Sequence, residues 1–468
     1  MVPLLECYRC KLDKDGLIDK LKCRIVFRGD LYDPADPQDP WNPHASFLAL
    51  KVFLAICARY GIFPAQVDFL LAFLQADMRE RVFVEFPDAW KNFLPEHLWK
   101  WIGRPLKLRK ALYGYNYSGK FLYQDQAEFL ESEGFLPSGL PGLWYKRYPG
   151  DRLIMFLHYV DDILIASNDP QVQAFFIESL KGRFDIEVKP SADWYLQTHL
   201  QQDKNKNITL DQTRYSKSMV ARFLPNASSQ LTEDERKRYA SPLKTTTRLI
   251  KEDSSSDEHE VQALEEEYGF RFIELAGCFN WISYTCYEEI YAIRKLCKFM
   301  ARPGRKHFQA ALHLLHHFRC HPPKPLIFYH NLRHAPVMSM IKDIPGLVDI
   351  DLSYLTFADS AHADCDDGRS TGCDLQVFQG GLIDHISWIP NPIPQSSAES
   401  ESNCYSAAIM RSRFPLQAIA KILYGQDASV WTIPVFVDSS AAIVMNSSDR
   451  VSPKTRHIQG RYWYGRTL

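Results

Sequence analysis

The sequence predicts a chain of two α+β domains, and three observations lead to this prediction. Its 468 residues are enough for two or three domains that each bury a core. In the stretch 153–167 (LIMFLHYVDDILIAS), two apolar runs flank a short acidic interruption, which predicts a buried β-hairpin. After the acidic, serine-rich stretch 226–268, the pattern of strands and helices changes, which indicates a second domain.

The centre of the predicted hairpin carries two adjacent carboxylates, Asp161 and Asp162. Unpaired anions at the tip of an apolar hairpin cost roughly several kcal/mol unless a cation neutralises them. A divalent metal is the candidate cation, and oxygen ligands favour Mg²⁺. The alternative is an ordinary tight turn with solvated acids.

Other elements of the N-terminal half follow from the spacing of apolar residues. This spacing predicts a strand at 20–27, helices at 45–60 and 119–134, a strand at 81–85, a helix at 171–184, strands at 194–201 and 207–210, and a helix at 212–223. Asp68 lies in the almost wholly apolar run 63–74, so its charge needs a partner. It is either a helix cap or salt-bridge partner, or it joins Asp161 as a ligand of the same metals.

The C-terminal half begins with helical patterns at 270–300 and 307–320. The histidines of the second helix have no second group of ligands at a defined spacing, so packing is favoured over metal binding. Strands are predicted at 354–358, 376–378 and 383–388, the last two joined at Gly380-Gly381. Asp359 and Asp438 each follow an apolar strand, and Glu401 lies on the intervening helix, an order of elements that favours a metal site.

The net charge of −1 argues by itself against a nucleic-acid-binding protein, but the charge is unevenly distributed. Acidic residues at 249–268 mask basic clusters that can contact phosphates or form ordinary solvated faces. The clusters are Arg104/Lys107/Arg109/Lys110, Arg294/Lys295/Lys298/Arg302/Arg305/Lys306 and Lys454/Arg456/Arg461/Arg466. The 11 scattered cysteines, with neither a signal peptide nor an apolar run of membrane-spanning length, predict an intracellular protein, cytoplasmic or nuclear, without a membrane partner.

Successive blocks of the sequence resemble one known family. The blocks are KLKCRIVFRGDLYDP (20–34), QVDFLLAFLQADMRERVFVEFP (66–87), LRKALYGYNYSGKFLYQ (108–124), HYVDDILIAS (158–167), TFADSAHADCDDGRSTGCDLQVFQGGLIDHISW (356–388), PQSSAESES (394–402), VFVDSSAAI (435–443) and KTRHIQGRY (454–462). In this order and spacing they resemble the reverse transcriptase–ribonuclease H region of copia-type LTR retrotransposon polyproteins. The resemblance covers nearly the whole chain.

The resemblance implies a fold and a domain order. Residues 1–225 would form the fingers and palm of a polymerase, 226–268 an acidic linker, and 269–345 a helical connection. Residues 346–468 would form a ribonuclease-H-like α/β domain that lacks its C-terminal end. Because no protease, integrase or zinc segment resembling the family's is present, we expect the chain to be a fragment or a decaying copy of a polyprotein.

The resemblance also assigns roles in a polymerase site. Asp68, Asp161 and Asp162 would hold two Mg²⁺ ions, with Mn²⁺ as a possible substitute. Phe73 would exclude a ribose 2′-hydroxyl, although core packing is its alternative role. Arg24 and Lys22 would clamp the nucleoside triphosphate, although they can also be plain surface charges. The resemblance further implies binding of an RNA template, a DNA primer, deoxynucleoside triphosphates and an RNA–DNA hybrid.

In the ribonuclease H section, Asp359, Glu401 and Asp438 match three members of a four-carboxylate site for two Mg²⁺ ions. Glu399 is an alternative to Glu401, which is preferred because the second acid of the family's A-E-x-E block opens the helix.

The fourth position of that site departs from the family pattern, since Gln459 stands where an acid is usual. An amide oxygen brings no charge to a metal, so His457 or Asp449 would have to substitute in part. The predicted function is RNA-directed DNA polymerisation with an associated ribonuclease H activity. The alternative is a catalytically inactive remnant that only binds nucleic acid.

Overall fold

The computed structural model describes residues 2–12, 18–32, 44–92, 94–227, 230–244, 246–347, 350–363, 368–390, 393–425 and 431–447. The chain divides into two compact units: Met1–Ala49 with Pro64–Ser191, and Leu50–Phe63 with Ala192–Leu468. The fold is mixed α/β throughout.

The first unit contains two sheets and their covering helices. In chain order its elements are β1 (Val2–Leu12), β2 (Ile18–Phe27), the start of α1 (Phe47–Tyr60), β3 (Ala65–Phe69), α2 (Ala72–Gln75), β4 (Phe83–Glu85), β5 (Leu106–Lys107), α3 (Ser118–Ser132), β6 (Leu136–Pro137), β7 (Leu143–Tyr148), β8 (Arg152–Tyr159), β9 (Asp162–Ser167), α4 (Pro170–Arg183) and β10 (Ile186–Lys189). The larger sheet has the order β10-β3-β9-β8-β7-β6 and is antiparallel throughout. The smaller sheet has the order β2-β1-β4-β5, with β1 and β4 parallel.

The apolar runs of β8 and β9 form the centre of the larger sheet. Phe156 and Ile163 are buried in one core with Phe121 of α3 and Phe176 of α4. Each fully buried side chain of this size contributes roughly 1.5–3 kcal/mol, so the two helices hold the sheet firmly. Helix α4 begins where its sequence predicts, because Asp169 caps it by accepting hydrogen bonds from two backbone amides.

The second unit contains two further sheets. In chain order its elements after α1 are β11 (Trp194–Tyr195), β12 (Thr198–Gln202), β13 (Ile208–Asp211), α5 (Thr213–Phe223), α6 (Glu233–Arg238), α7 (Glu258–Tyr268), α8 (Phe272–Ile282), α9 (Ile290–Cys297), α10 (Arg305–Cys320), β14 (Leu326–Phe328), α11 (Pro336–Ile341), β15 (Tyr354–Ala361), β16 (Thr371–Phe378), β17 (Gly381–Trp388), α12 (Ser397–Tyr424), β18 (Val435–Phe436) and α13 (Ser440–Ser447). One sheet has the order β11-β12-β13-β14 and the other β17-β16-β15-β18. In the second of these sheets only β15 and β18 are parallel.

The hairpin predicted at Gly380-Gly381 is confirmed, with the turn one residue earlier. Phe378 pairs with Gly381, so Gln379 and Gly380 form the two-residue turn, both at positive φ. Gly381 is needed for a different reason. A Cβ atom at this position would overlap the side chain of Phe328 and the carbonyl of the residue before it.

The prediction of an acidic linker at 226–268 is wrong for the part of this stretch that the structure describes. The stretch contains α6 and α7, and it buries Leu249 and Leu264 in a core shared with α5, α8 and α10. His313 and His317 of α10 fasten it through hydrogen bonds to the carbonyls of Ser241 and Tyr239, at 3.0 and 2.7 Å. The stretch has few large apolar residues, but their positions let it join a core.

The boundary between the units also differs from the predicted one. The first unit ends at Ser191, and residues 192–225 pack with the second unit. Within the described residues, no helix combines the length and the apolar character that crossing a membrane requires.

Candidate active sites

The first candidate site is built on the turn between β8 and β9. Tyr159 pairs with Asp162, so Val160 and Asp161 form a two-residue turn, as the hairpin prediction expects. Val160 has a φ of 56°, a conformation that is unfavourable for a β-branched residue. Such strain costs about 1–3 kcal/mol, and it persists only where neighbouring groups hold the backbone.

His158 is one group that holds this turn. Its buried ring lies with Nε2 3.0 Å from the carbonyl oxygen of Val160. Burial lowers the pKa of His158 to about 3, so at neutral pH the ring is uncharged and its Nε2–H donates to that carbonyl. The backbone of His158 is also held in place, because the amide of Ala45 donates a hydrogen bond to the His158 carbonyl oxygen at 2.9 Å.

Asp68 joins the two acids of the turn from the neighbouring strand. In the register of β3 and β9 it lies directly opposite Asp162, and the amide of Phe69 is 3.4 Å from the carbonyl oxygen of Asp161. Burial raises the pKa of Asp162, and the negative charges of Asp161 and Asp68 raise it further. The three acids therefore meet at one end of the sheet.

The geometry of these carboxylates is looser than that of a formed metal cluster. Among the residues that the structure describes, they are not a group whose ligand atoms all lie within 4.8 Å of one another. Asp161 is exposed, and Asp68 and Asp162 are half-buried, so ions from solvent can reach all three.

Tyr113 connects the acids to two of the predicted substrate-binding residues. Its ring meets Phe73 edge-on, with 4.9 Å between ring centroids, and the guanidinium carbon of Arg24 lies 5.4 Å from its centroid. Burial raises the pKa of Tyr113, and the charges of Asp161 and Asp68 add to the effect. The ring thus contacts both Arg24 and Phe73 and lies close enough to Asp161 and Asp68 to be affected by their charges. Lys22 precedes Arg24 by two residues in β2, opposite Arg9.

The second candidate site lies where β15 and β18 end. These strands are parallel, with Phe357 opposite Phe436, so the residues that follow arrive at the same edge of the sheet. Asp359, Glu401 and Asp438 each offer a carboxylate oxygen there, and these atoms all lie within 4.8 Å of one another. The structure brings together the three acids that the sequence singled out.

The two carboxylate oxygens of Glu401 differ in their hydrogen bonding, as expected of a side chain that offers one oxygen to a metal. Its Oε1 accepts hydrogen bonds from the amide and the hydroxyl of Ser360, both at 3.2 Å. Its Oε2 is buried and has no hydrogen-bond partner within the described parts of the chain. Burial raises the pKa of Glu401, and the charge of Asp359 raises it further. Because a cation would relieve both effects, this set of oxygen ligands fits a divalent metal.

Glu399, the alternative to Glu401, lies in the cap of α12. Its Oε2 accepts a hydrogen bond from the amide of Gln395 at 2.7 Å, and its own amide donates to Ser396 Oγ at 3.2 Å. It is therefore not part of the acidic cluster. Gln459, His457 and Asp449 lie outside the described residues.

Comparison with known proteins gives the family. Residues 2–233 match the model of the reverse transcriptase (RNA-dependent DNA polymerase) family. Residues 2–233 belong to the reverse transcriptase family. The matched segment contains the β8–β9 turn with its acids and the residues around Tyr113.

Curated relatives of this reverse transcriptase region are transposon polyproteins. The chain is 23% identical over 475 residues to the retrovirus-related Pol polyprotein from transposon TNT 1-94 of Nicotiana tabacum, covering 99% of the chain and 32% of that protein. It is 24% identical to those from transposons RE2 and RE1 of Arabidopsis thaliana, over 307 and 306 residues, covering 65% of the chain and 19% of each relative. The chain thus spans a third or less of the length of these relatives.

Solved structures of prototype foamy virus protease–reverse transcriptase are also similar. The native protein is 11% identical, with a TM-score of 0.22, and the match covers 100% of this chain and 48% of that one. A selenomethionine-labelled mutant of it is 12% identical, with a TM-score of 0.25.

Reasoning from the sequence missed two residues of this reverse transcriptase region. Tyr113 is part of the LYG block, but nothing in its spacing indicates contact with Arg24 and Phe73, which are distant in sequence. His158 gave a usable signal, because it is a histidine within an otherwise apolar strand of a hairpin that carries acids.

Proposed function

We propose that the chain is an RNA-directed DNA polymerase with its catalytic centre at the β8–β9 turn. The six-stranded sheet would be the palm, and the long β1–β2 hairpin would belong to the fingers. The register that sets Asp68 opposite Asp162, beside Asp161, supports this proposal most strongly. Its substrates would be an RNA template, a DNA primer and deoxynucleoside triphosphates.

In this proposal Asp68, Asp161 and Asp162 hold two Mg²⁺ ions, or Mn²⁺ in their place. When bound, such a pair of ions activates the attacking oxygen and stabilises the charge on the leaving group. The raised pKa of Asp162 supports a role as ligand, because a nearby cation would offset its repulsion by the other two carboxylates.

The residues around Tyr113 would select and orient the nucleotide. Arg24 and Lys22 carry the positive charge that a triphosphate needs, and Arg24 is held against the Tyr113 ring. Phe73 packs edge-on against the same ring, which fixes the position of a bulky wall. Such a wall favours deoxynucleotides because it leaves no room for a 2′-hydroxyl.

Primer extension on poly(rA)/oligo(dT) with Mg²⁺ or Mn²⁺ tests the polymerase proposal. The unaltered chain should extend the primer, and Asp161→Asn should abolish extension. Asp151→Asn is the matched control, since Asp151 lies at positive φ in the turn at the opposite end of β8. Tight binding of the template–primer without any extension would instead support the inactive remnant.

We also propose that the second unit cleaves the RNA strand of an RNA–DNA hybrid. The compact cluster of Asp359, Glu401 and Asp438 supports this activity, as does the arrangement of α12 beside the β17-β16-β15-β18 sheet, which would be a ribonuclease-H-like domain. Two Mg²⁺ ions would be held by these carboxylates.

Cleavage of a labelled RNA within a hybrid tests this second activity. Asp438→Asn should remove cleavage and leave primer extension unchanged, because the two sites use separate acids. If the unaltered chain does not cut, Gln459→Asp should restore some cleavage. Failure of both proteins to cut would contradict the proposed ribonuclease activity.

A further inference from the structure

Two histidine rings in the first unit lie close together and belong to neither set of acids. His44 precedes α1, and His158 is the last residue but one of β8. The centroids of the two rings are 5.9 Å apart, with 43° between the ring planes. Because the two residues are far apart in the sequence, only the folded chain brings them together.

One nitrogen of each ring has no hydrogen-bond partner within the described parts of the chain. These atoms are Nδ1 of His44 and Nδ1 of His158, and both are buried. His158 as a whole is only 1% exposed. Nearly all buried polar atoms in proteins are paired, so two such nitrogens on neighbouring rings point to a ligand that binds both.

The other nitrogen of His158 determines what its Nδ1 can bind. Nε2 carries the proton, because it donates to the carbonyl oxygen of Val160 at 3.0 Å, so Nδ1 presents a lone pair. Histidines that bind metals characteristically donate their second ring N–H to a carbonyl or carboxylate in this way, which fixes the ring. Burial lowers the pKa of His44 as well as that of His158, so neither lone pair is lost to a proton at neutral pH.

The separation of the rings suits a metal ion bound by both of them. Bonds of about 2.0–2.1 Å to a tetrahedral Zn²⁺ place two imidazole centroids roughly 5 Å apart, so the rings need to approach each other by less than ~1 Å. Imidazole nitrogens suit Zn²⁺, whereas Mg²⁺ prefers oxygen ligands. The Mg²⁺ ions proposed for the carboxylates would therefore not compete for this pair.

The surroundings of the pair also suit a bound metal. The ring of Tyr159 lies 5.5 Å from that of His44, and the ring of Tyr123 lies 5.4 Å from that of His158, centroid to centroid. A shell of rings limits the access of water and so strengthens the bonds from nitrogen to metal. His44 is only half-buried, which gives an ion a path from solvent and leaves room for water ligands.

We propose that His44 and His158 bind one Zn²⁺ ion through their Nδ1 atoms, with water completing its coordination. The ion would fasten the segment before α1 to β8, next to the hydrogen bond from the Ala45 amide to the His158 carbonyl. Its role would be structural, since it stabilises the strand that leads into the turn. The site does not depend on the proposed polymerase activity, because the acids of that site are not among its ligands.

The first test counts tightly bound Zn²⁺ by competition with a chromophoric chelator, in excess Mg²⁺ so that the carboxylates are occupied. The cysteines of the chain can also bind Zn²⁺, so the result is the difference between proteins. The unaltered chain should bind one equivalent more than His44→Gln. His158→Gln should lose the same equivalent, and His44→Gln decides alone if His158→Gln does not fold, because His44 is half-buried.

Two control variants should keep this equivalent. His97→Gln removes a histidine from an exposed position of the same unit, and Asp161→Asn removes an acid of the polymerase site. Equal binding of Zn²⁺ by the unaltered chain and His44→Gln would overturn the proposal. Loss of the equivalent in Asp161→Asn would overturn it too, because the ion would then lie at the acids.

The second test identifies the nitrogen that binds the ion. In the NMR spectrum of the chain labelled with ¹⁵N-histidine, Zn²⁺ should shift the Nδ1 resonances of His44 and His158, which spectra of the two variants assign. The Nε2 atom of His158 should keep its proton. A Zn²⁺-dependent shift at neither ring, or loss of the Nε2 proton of His158, would contradict the proposal. Because both tests measure binding alone, they remain decisive even if the chain extends no primer.

Discussion

Val160 and His158 show how single residues shape the proposed polymerase site. The strained φ of Val160 turns Asp161 towards the end of the sheet where Asp68 and Asp162 lie. The buried, uncharged ring of His158 donates a hydrogen bond to the carbonyl oxygen of Val160. The position of this turn thus depends on the buried side chain of His158.

We predict that His158→Leu lowers kcat for primer extension at least about tenfold with little change in KM, because a misplacement of ~1 Å in a catalytic group can cost about a hundredfold. Steady-state kinetics at saturating template–primer measure this. His97→Leu, at an exposed position of the same unit, is the control. An unchanged kcat in His158→Leu would mean that other contacts hold the turn.

Glu401 gives a prediction about pH. Its pKa in the folded chain is raised above the ordinary value of 4.5, mainly by burial. Without metal, the folded chain binds this proton more readily than the unfolded chain, so stability is lost as the pH rises above 4.5 through the folded-state pKa. Glu401→Gln removes this loss, and in EDTA at pH 7 it should melt about 1–3 °C higher than the unaltered chain.

The same variant should also lose the stabilisation that Mg²⁺ gives to the unaltered chain, as thermal melts with and without the ion would show. Glu399→Gln should keep that response, because Glu399 is occupied in the helix cap. A Glu401→Gln protein that melts lower in EDTA, or that still responds fully to Mg²⁺, would contradict the assignment of Glu401 as a ligand.

At the scale of elements, one arginine fastens α12 to the strands it covers. Arg411 donates to Asp374 at 2.8 Å and also to Asp384, joining β16 and β17 to the helix that carries Glu401. Burial raises the pKa of Asp374, whose side chain is fully buried. This carboxylate therefore depends on its arginine.

We predict that Arg411→Met destabilises the chain by about 2–4 kcal/mol at pH 7, because it leaves a buried carboxylate without its cation. Urea denaturation measures the change. Arg413→Met is the control, since Arg413 is exposed on the same helix and should change stability by less than ~0.5 kcal/mol. Equal effects of the two substitutions would show that the buried ion pair is unimportant.

The elements also show what the sequence can predict. The β8–β9 hairpin and the start of α4 follow from local signals, an apolar run on each side of a turn and a capping Asp169. The prediction of a linker at 226–268 rested on the average composition of that stretch, whereas its packing depends on a few apolar residues. Leu249 and Leu264 are enough to tie that stretch to a core whose other side chains are distant in sequence.

At the scale of the whole molecule, the acids that the structure brings together could be singled out because each lies in, or directly beside, a strand, turn or helix that the sequence predicts. The contacts of Tyr113 and the end of the first unit at Ser191 were not predictable, because both depend on packing between segments far apart in the chain. A carboxylate in an apolar stretch signals that a cation must lie near it. No comparable signal in the sequence identifies the residues that pack against an aromatic ring.

The central claim is that Asp68 and Asp161 act at one site. Primer extension tests this claim when it is measured for Asp68→Asn, for Asp161→Asn and for the double variant. Each single variant should lose at least about a thousandfold in rate, and the double variant should lose little more, because groups that act as a unit are not additive. Asp68→Asn with nearly full activity, or losses that multiply in the double variant, would contradict the claim.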